Sequence, residues 1–482
     1  MTGEIFEKLL KNIKNARCET QNLELKCAEK GCPQRLYDSL SSFSNQDEGG
    51  IIVFGVDEER GYVETGVYDA KDLQKKIEEQ CLQMEPVVRP LFTVLEKYDK
   101  VFVAAEIPGM DVSSRPCYYK GKGRLRGSYI RVGDHDELMT EYEVYSYEAF
   151  RRNHEDDIRP VERAKISSFN EEKLGEYLRL LISGKPNLSM MDDDTVLELM
   201  SMKQGDTATL AGVLLFSVYP QAYFPQLAIT AVRIPGKKIG DTGSAGERFI
   251  DNMRIEGTIP EMLSEAVNFV RRNMKTKTII NPLTGIREDR TEYPVMAVRE
   301  AVLNALVHRD YSTHTEAMPI RIEIYDDRIE IHNPGGLYGR MTVDKLGKIQ
   351  PDTRNPVLAT TLETLRITEN RYSGIPSILR EMRKYDLDEP VFLSERGEFT
   401  VVLYNEKKEH FTAKEENLIY NRGSLEKFCE VPRTRDEIAE FLGLSSKTYA
   451  IQTYVKPLIE KGIIGLSIPD KPQSSKQKYF LI

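Results

Sequence analysis

The stretch from Glu292 to Leu337 constrains the fold more than any other part of the chain. Pro294 is followed by apolar residues at helical spacing, which predicts a helix from about Pro294 to His308. Polar residues recur at every fourth position on one face of this helix: Glu300, Asn304 and His308. A carboxylate and an amide oxygen on one face suit a site that polarises water and holds a hard cation such as Mg²⁺.

The residues after this helix predict a β-hairpin with one buried face. Isoleucines alternate at positions 320–324 and 329–331, and two aspartates between them form the turn. The hairpin leads into residues 333–336, Asn-Pro-Gly-Gly, where two glycines let the backbone bend sharply and approach a ligand. No Walker A pattern competes, because no Gly-Lys pair in the chain is followed by Ser or Thr.

The runs REAVLNALVHRDY and NPGGL resemble the GHKL (Bergerat-fold) ATPases, in the subgroup known as the RecG-like carboxy-terminal ATPase domain. The resemblance implies ATP and Mg²⁺ as cofactors, with Glu300 as the general base on water, Asn304 as the Mg²⁺ ligand and the turn after Asn333 on the adenine side. The residues implied in cofactor binding are Asn304, His308, Asn333, Gly335, Gly336, Arg354 and Gly374.

Two positions depart from the family pattern. Catalytic GHKL members carry Asp where this chain has Asn333, and an uncharged amide oxygen accepts a hydrogen bond more weakly than a carboxylate. In the later glycine motif Tyr372 stands at the first glycine position, where a bulky side chain crowds the phosphates. The prediction is therefore an ATP-binding domain with at most weak ATPase activity, and the alternative is a scaffold in which Glu300 and Asn304 are half-buried hydrogen-bonding residues.

Length and composition predict an α/β multidomain protein. A chain of 482 residues accommodates three domains, which we place at 1–155, 156–405, with the GHKL core at about 285–405, and 410–482. The sequence shows no membrane-spanning apolar run and no signal peptide, and its six cysteines include no Cys-x-x-Cys pair. We therefore expect a cytoplasmic protein that does not bind membranes.

The amino-terminal segment resembles the Schlafen AlbA-type nucleic-acid-binding domain, an α+β fold, in ETQNLELK, SLSSFSNQDEGGIIVFGVDEE and YIRVG. In the Schlafen branch that cuts RNA, two glutamates and an aspartate bind a divalent metal. Glu19, Glu24 and Asp57 stand at the matching positions here, so a metal-dependent nuclease is the alternative function. The structural alternative is that Glu24 and Lys26 form a solvated or salt-bridged strand face.

A basic loop follows in the same segment. Six basic residues and no acidic one lie between Ser114 and Arg131, although the whole chain carries a net charge of −9. Tyrosines interleave with these charges, which favours phosphate contact with base stacking over an ordinary solvated surface. The predicted nucleic-acid contacts of this loop are Lys120, Lys122, Arg124, Arg126 and Arg131.

The region between these two parts predicts helices at 170–182, 192–202 and about 258–273. The apolar run TLAGVLLFSVYPQAYFPQLAITAVRIPG predicts two buried strands separated by a turn that contains prolines. The glycine-containing loop KKIGDTGSAGERF lacks a strand-to-helix context, so we expect a connector.

The last seventy residues predict a winged helix-turn-helix. Three helical patterns are followed by a hairpin with a basic tip, and the tail is similar to the one that ends many RecG-like ATPase proteins. The third helix would enter the DNA major groove, and it carries Lys447, Thr448, Tyr449 and Gln452. Winged helices also serve as protein-protein or dimer modules.

Together these features predict a DNA-binding, ATP-binding transcriptional regulator. RNA is the alternative nucleic acid, and a homodimer is the assembly that GHKL and winged-helix domains often form. A nuclease and a catalytically inert nucleic-acid-binding scaffold are the other two functions that the sequence leaves open.

Overall fold

The structure is a computed structural model, and it describes residues 1–16, 18–280, 287–368, 373–395, 397–407, 425, 428–429, 431–441, 451, 455–460, 463–467 and 477–481. The chain divides into two compact units, Met1–Glu406 and Lys407–Ile482. The boundary that the sequence places near residue 155 lies inside the first unit and stays a prediction. None of the described helices is long and apolar enough to cross a membrane.

The first 151 residues form five helices and ten strands. The helices are α1 (Gly3–Ala16), α2 (Tyr37–Ser44), α3 (Ala70–Cys81), α4 (Arg124–Gly127) and α5 (Glu141–Arg151). The strands are β1 (Leu23–Lys26), β2 (Gly50–Phe54), β3 (Val56–Asp57), β4 (Val63–Glu64), β5 (Met84–Glu85), β6 (Leu91–Lys97), β7 (Lys100–Ile107), β8 (Tyr118–Tyr119), β9 (Tyr129–Val132) and β10 (His135–Leu138).

A four-stranded sheet in the order β1-β2-β7-β6 organises this part, and its first pair is parallel. Alternate residues of the central strands point to opposite faces, so each face buries its own apolar cluster. On one face, Phe6 and Leu10 of α1 share an apolar cluster with Val53 of β2. On the other face, Leu40 of α2 and Ile77 of α3 belong to a second cluster. The predicted α+β organisation agrees with these elements.

The described residues in the remainder of the first unit form seven α-helices and eleven strands. The helices are α6 (Glu171–Gly184), α7 (Asp193–Leu199), α8 (Leu210–Phe216), α9 (Ile259–Asn273), α10 (Val295–Val307), α11 (Pro356–Thr364) and α12 (Gly374–Lys384). The strands are β11 (Pro160–Lys165), β12 (Lys203–Gln204), β13 (Thr207–Thr209), β14 (Ile229–Arg233), β15 (Asp251–Ile255), β16 (Thr276–Ile280), β17 (Arg287–Thr291), β18 (Ile320–Ile324), β19 (Arg328–Pro334), β20 (Val391–Glu395) and β21 (Glu398–Tyr404).

Six of these strands form one mixed sheet in the order β15-β14-β18-β19-β21-β20. The predicted hairpin is present as β18 and β19, with Ile322 opposite Ile331. Helices α9, α10 and α12 pack together, and their apolar residues share one core cluster with the inward residues of the sheet. A layer of helices on one face of a mixed sheet is an α/β sandwich in outline.

The predicted helix over 294–308 is confirmed with a difference of one residue at each end, because α10 runs from Val295 to Val307. One strand prediction is wrong, since residues 210–216 form α8. Every residue of this helix is buried, so no polar face reveals the helical period. Thr209 begins the helix by accepting a hydrogen bond from the Gly212 backbone nitrogen at 3.1 Å.

The second unit contains two described helices and three strands. They are β22 (Arg433–Thr434), α13 (Arg435–Phe441), α14 (Lys456–Glu460), β23 (Ile464–Leu466) and β24 (Lys478–Leu481). Thr434 caps α13, because its hydroxyl accepts a hydrogen bond from the Glu437 backbone nitrogen at 3.3 Å. The strands form an antiparallel sheet in the order β22-β24-β23, so the predicted hairpin is confirmed, but its tip lies outside the described residues.

Candidate nucleotide-binding site

A cavity of about 550 Å³ lies between α10, the carboxyl end of β19 and the start of α12. This volume falls in the range of small-molecule and cofactor sites. All eight residues that the sequence predicts for catalysis and cofactor binding line it: Glu300, Asn304, His308, Asn333, Gly335, Gly336, Arg354 and Gly374. The structure therefore brings together residues that are up to 74 positions apart (374 minus 300) in the chain.

The polar face of α10 forms one wall of the cavity. Glu300 is ion-paired with its neighbour Arg299 at 3.1 Å, and Arg299 also donates to the Ile367 carbonyl at 2.6 Å. Asn304 lies one turn further along, beneath the first residue of α12. A Cβ atom built on Gly374 would lie 2.9 Å from the Asn304 side-chain nitrogen, so only glycine lets α12 begin this close to the amide.

His308 completes this wall and opens onto the cavity. Burial, and secondarily the positive charge of Arg354, lower the pKa of His308 to about 4. The imidazole is therefore neutral at pH 7, so it offers one donor and one acceptor to a ligand without adding charge.

The turn after β19 forms the opposite wall. Asn333 is 4% exposed, and its Oδ1 atom has no hydrogen-bond partner among the described residues. A buried acceptor without a partner is uncommon, and in a cavity wall it marks a place where a ligand can donate. Gly335 has a φ angle of +101°, and its backbone nitrogen donates to the Gly397 carbonyl at 2.7 Å, which fixes the bend.

Arg354 lines the cavity, but its contacts differ from the predicted phosphate contact. It is 4% exposed, ion-paired with Asp310 at 3.0 Å and 3.4 Å from the Gly336 carbonyl, to which it donates. The guanidinium thus supports the glycine turn from behind. Asp310 belongs to the motif REAVLNALVHRDY, but its role could not be predicted from the sequence, because a carboxylate just after a helix is usually a surface residue.

The donor set of the cavity fits a nucleotide with its metal. Glu300 and Asn304 supply the oxygen atoms that Mg²⁺ prefers, and the Asn333 oxygen is an acceptor for an exocyclic amino group. Ser373 and Gly374 of the later glycine motif are at the start of α12. Tyr372, which the sequence suggests would crowd the phosphates, lies outside the described residues.

The second predicted metal site, at Glu19, Glu24 and Asp57, is arranged differently. Arg131 is 6% exposed and pairs with Glu24 at 2.8 Å and with Asp136 at 3.0 Å, and its guanidinium lies 3.5 Å from Glu19. Asp57 instead pairs with Arg60 at 3.0 Å. A cation side chain thus occupies the space beside two of the three carboxylates. Arg131 is also unavailable as the predicted nucleic-acid contact, because its charge is buried and paired.

The pKa of Glu19 is shifted as well. Burial and the neighbouring carboxylate of Glu24 raise the pKa of Glu19 to about 7, against a backbone hydrogen bond from Leu25 that lowers it.

In the described part of the chain, one group of three His, Cys or carboxylate residues brings its ligand atoms within 4.8 Å of one another, and it lies on strands β18 and β19. Its members are Glu323, Glu330 and His332. Arg321 and Arg328 pair with the two glutamates. Burial lowers the pKa of His332, but hydrogen bonds with Glu330 and Glu398 outweigh it and raise the value to about 9. The group is a charge-paired network across the sheet.

The predicted basic loop divides into exposed and engaged residues. Lys120, Lys122 and Arg126 are exposed, although Lys120 pairs with Glu85 at 3.5 Å, whereas Arg124 is half-buried and ion-paired with Glu148. Lys122 also donates to the Tyr129 hydroxyl at 3.1 Å. The predicted contacts of the third carboxy-terminal helix, Lys447, Thr448, Tyr449 and Gln452, lie outside the described residues.

Two family models match the two parts of the first unit, and a third matches the end of the chain. Residues 317–403 match the family model described as "Putative ATP-dependent DNA helicase recG C-terminal", and residues 19–140 match the Schlafen AlbA_2 model. The chain therefore carries a Schlafen AlbA_2 domain and a RecG-like HATPase_c_4 domain, as their motifs predicted. Residues 425–482 match the model described as the carboxy-terminal domain of Fic-like proteins (filamentation induced by cAMP). The sequence predicts a winged helix-turn-helix for this tail and does not predict the Fic-like match.

Several chains of solved structures are similar to this chain, among them the following two. The DIP2311 protein of Corynebacterium diphtheriae is 17% identical, with 96% of this chain and 92% of that chain covered and a TM-score of 0.41. The N-terminal domain of a "Putative ATP-dependent DNA Helicase RecG-related Protein" from Nitrosomonas europaea is 25% identical, with 28% and 94% covered and a TM-score of 0.23. Both TM-scores are below 0.5, so neither structure informs the geometry of the cavity. No curated protein is significantly similar to the chain.

Proposed function

We propose that the cavity binds ATP with Mg²⁺ and that the chain is a nucleotide-responsive, DNA-binding transcriptional regulator. The observation that carries the proposal is a cavity of nucleotide size that is lined by all eight predicted residues, among them the buried Asn333, whose side-chain oxygen has no partner among the described residues. The HATPase_c_4 match and the helix layer on the mixed sheet support a GHKL sandwich around it.

The side chains divide the work within this site. Asn304 would hold Mg²⁺ through its amide oxygen, and the metal would neutralise phosphate charge when bound. Glu300 would orient and deprotonate the attacking water, and its pairing with Arg299 limits how strong a base it is. The Asn333 oxygen would accept a hydrogen bond from the adenine amino group. Weak turnover is consistent with both the Arg299 pair and the uncharged Asn333.

Calorimetry with ATP tests this proposal on the full chain. We expect heat of binding for the wild type, and a loss of at least about tenfold in Mg²⁺-dependent affinity for Asn304→Ala, since one metal ligand is removed. Asn268→Ala is the matched control, because that asparagine is exposed on α9 and is not among the residues that line the cavity. Equal heats for wild type and Asn304→Ala, or none for either, would leave the inert scaffold as the better description.

A turnover assay separates binding from hydrolysis. If the wild type releases phosphate, Glu300→Gln should lower kcat by roughly 100-fold or more and leave ATP affinity within about threefold. A fall in affinity as large as the fall in kcat would instead make Glu300 a binding residue.

The proposed DNA contact is the exposed part of the basic loop, and the carboxy-terminal unit is proposed as a winged helix. The three-stranded sheet and the capped helix α13 support the latter assignment. Replacing Lys120, Lys122 and Arg126 together with Gln should reduce the slope of log affinity against log salt by about 3, or one per phosphate contact. Arg124→Gln is the control, because Glu148 already pairs with that charge. An unchanged slope in the triple variant would exclude this loop.

A further inference from the structure

Helix α5 lies against the rim of the cavity, directly after the Schlafen AlbA_2 match ends at residue 140. The Tyr142 hydroxyl donates to the Asp310 carboxylate at 2.7 Å. Burial and the charge of Asp310 raise the pKa of Tyr142, so the phenol keeps its proton and remains a donor at physiological pH. A residue from the amino-terminal part of the chain therefore reaches the carboxylate that holds Arg354.

Two routes lead from Tyr142 to the glycine turn. In the first, Asp310 pairs with Arg354, whose guanidinium donates to the Gly336 carbonyl. In the second, the Tyr142 ring lies directly over Gly397, where an added Cβ atom would come within 2.7 Å of the ring. The Gly397 carbonyl accepts the hydrogen bond from the Gly335 nitrogen. The same tyrosine thus supports the turn from both of its sides.

Contacts further along α5 continue the same interface. Phe150 packs edge to face against Tyr338, with ring centroids 5.4 Å apart, just after the glycine turn. Near the cavity rim, Lys345 pairs with Asp47 of the amino-terminal domain at 3.2 Å, and Asp47 also pairs with Arg115 at 2.7 Å. A movement of the glycine turn would therefore displace side chains of the amino-terminal domain at several contacts.

We propose that Tyr142 is a positioning residue for the nucleotide turn, and that through it the nucleotide and the amino-terminal domain influence each other. The inference rests on the proposed function, because it needs a nucleotide in the cavity. It adds the route by which occupancy of the cavity reaches the nucleic-acid-binding domain. Thermodynamic linkage makes this coupling reciprocal. If bound nucleotide stabilises the position of α5, contacts that hold α5 in that position raise the affinity for nucleotide by the same factor.

The test compares two tyrosines of the same helix. Tyr142→Phe keeps the ring over Gly397 and removes only the hydrogen bond to Asp310. Tyr145→Phe is the control, because its hydroxyl donates to Asp156 at 3.1 Å and is not part of either route to the turn. We expect Tyr142→Phe to weaken Mg·ATP affinity roughly three- to tenfold in calorimetry, the effect of one hydrogen bond to a charged group, and Tyr145→Phe to stay within about twofold.

Hydrogen exchange of the backbone amides of residues 141–151 is a second measurement. A general loss of stability would not give the result expected for it. In the wild type and in Tyr145→Phe, Mg·ATP should slow exchange of this helix, and in Tyr142→Phe the protection should largely disappear. Wild-type protein that binds no nucleotide would overturn the proposed function and this inference together. Nucleotide binding that is equal in wild type and Tyr142→Phe, or a wild-type α5 that does not respond to nucleotide, would overturn this inference alone.

Discussion

The sequence predicts metal ligands at two places in the chain, one in the amino-terminal domain and one in the central domain. The surroundings of these two sets of oxygen atoms differ in the structure. In the amino-terminal domain the carboxylates of Glu19 and Glu24 surround the guanidinium of Arg131. In the central domain the residues from Glu300 to Asn333 surround a cavity, and the Asn333 oxygen has no protein partner among the described residues. The chain itself supplies the counter-charge at the first place and leaves room for a ligand at the second.

This difference teaches how to weigh a motif against its surroundings. Buried charges and acceptors are normally satisfied within the fold, so a satisfied set is explained by stability alone. A buried acceptor that remains unsatisfied at the wall of a cavity calls for a ligand. The residues at both places belong to family motifs, and the partners that arrive from distant parts of the chain separate the two cases.

The largest expected effect comes from removing the cation of the closed site. Arg131→Ala removes the buried cation that Glu24 and Asp136 share and leaves them only Lys26 and two serine hydroxyls as partners, so it should lower the free energy of unfolding by about 3 kcal/mol in urea titrations. Arg126→Ala, an exposed arginine of the same segment, should change it by less than about 0.5 kcal/mol. Equal effects in the two variants would mean that Arg131 is not a structural charge, and the carboxylates would again be free to bind metal.

The partner of those carboxylates could not be predicted from the sequence. Arg131 is 107 residues from Glu24 (131 minus 24), and the nearby Lys122 and Arg126 are exposed, so local patterns do not show which charge of the basic run turns inward. Helix α10 and the hairpin after it could be predicted, because their periodicity is local and strong. Tyr142 had no such signal, since it meets Asp310 across 168 positions.

A second, smaller effect concerns pH, and the two sites should respond with opposite sign. The folded state raises the pKa of Glu19 from 4.5 to about 7, so it binds a proton that the unfolded state releases, and its contribution to stability is lost as pH rises through 7. In Glu19→Gln this loss is absent. The free energy of unfolding of the variant, relative to wild type, should rise by about 2 kcal/mol between pH 5 and pH 7.5.

His308 supplies the counterpart in the open site. Its folded-state pKa of about 4 lies below the ordinary 6.5, so its contribution is present above pH 6.5 and is lost as pH falls towards 4. The stability of His308→Gln, relative to wild type, should therefore fall from pH 5 to pH 7.5, but by less than about 1 kcal/mol, because the imidazole is open to solvent, which screens the effect. Urea titrations at a series of pH values measure both variants. If the free energies of unfolding of the two variants, relative to wild type, changed in the same direction with pH, the expected opposite signs would be wrong.

Substitutions in the glycine turn of the open site test whether the nucleotide approaches its backbone closely. Gly335→Ala should lower the free energy of unfolding by about 1–3 kcal/mol, because φ is +101° and the new Cβ atom would lie 2.5 Å from the Asp310 Cβ atom. The adjacent Gly336→Ala is the control for stability, since its Cβ atom would meet only Ser394 Oγ, at 3.6 Å. Urea titration should therefore show a change of less than about 0.5 kcal/mol for this variant.

The same pair of variants then reports on the ligand. A methyl group at 336 has room in the protein alone, so a fall in Mg·ATP affinity for Gly336→Ala at unchanged stability would mean that the nucleotide itself occupies that space. Gly335→Ala should lose affinity as well, but together with stability, because it displaces Asp310 and Arg354. Should Gly336→Ala keep both its stability and its affinity, the turn does not contact the nucleotide, and the unpaired Asn333 oxygen would need a different ligand to explain it.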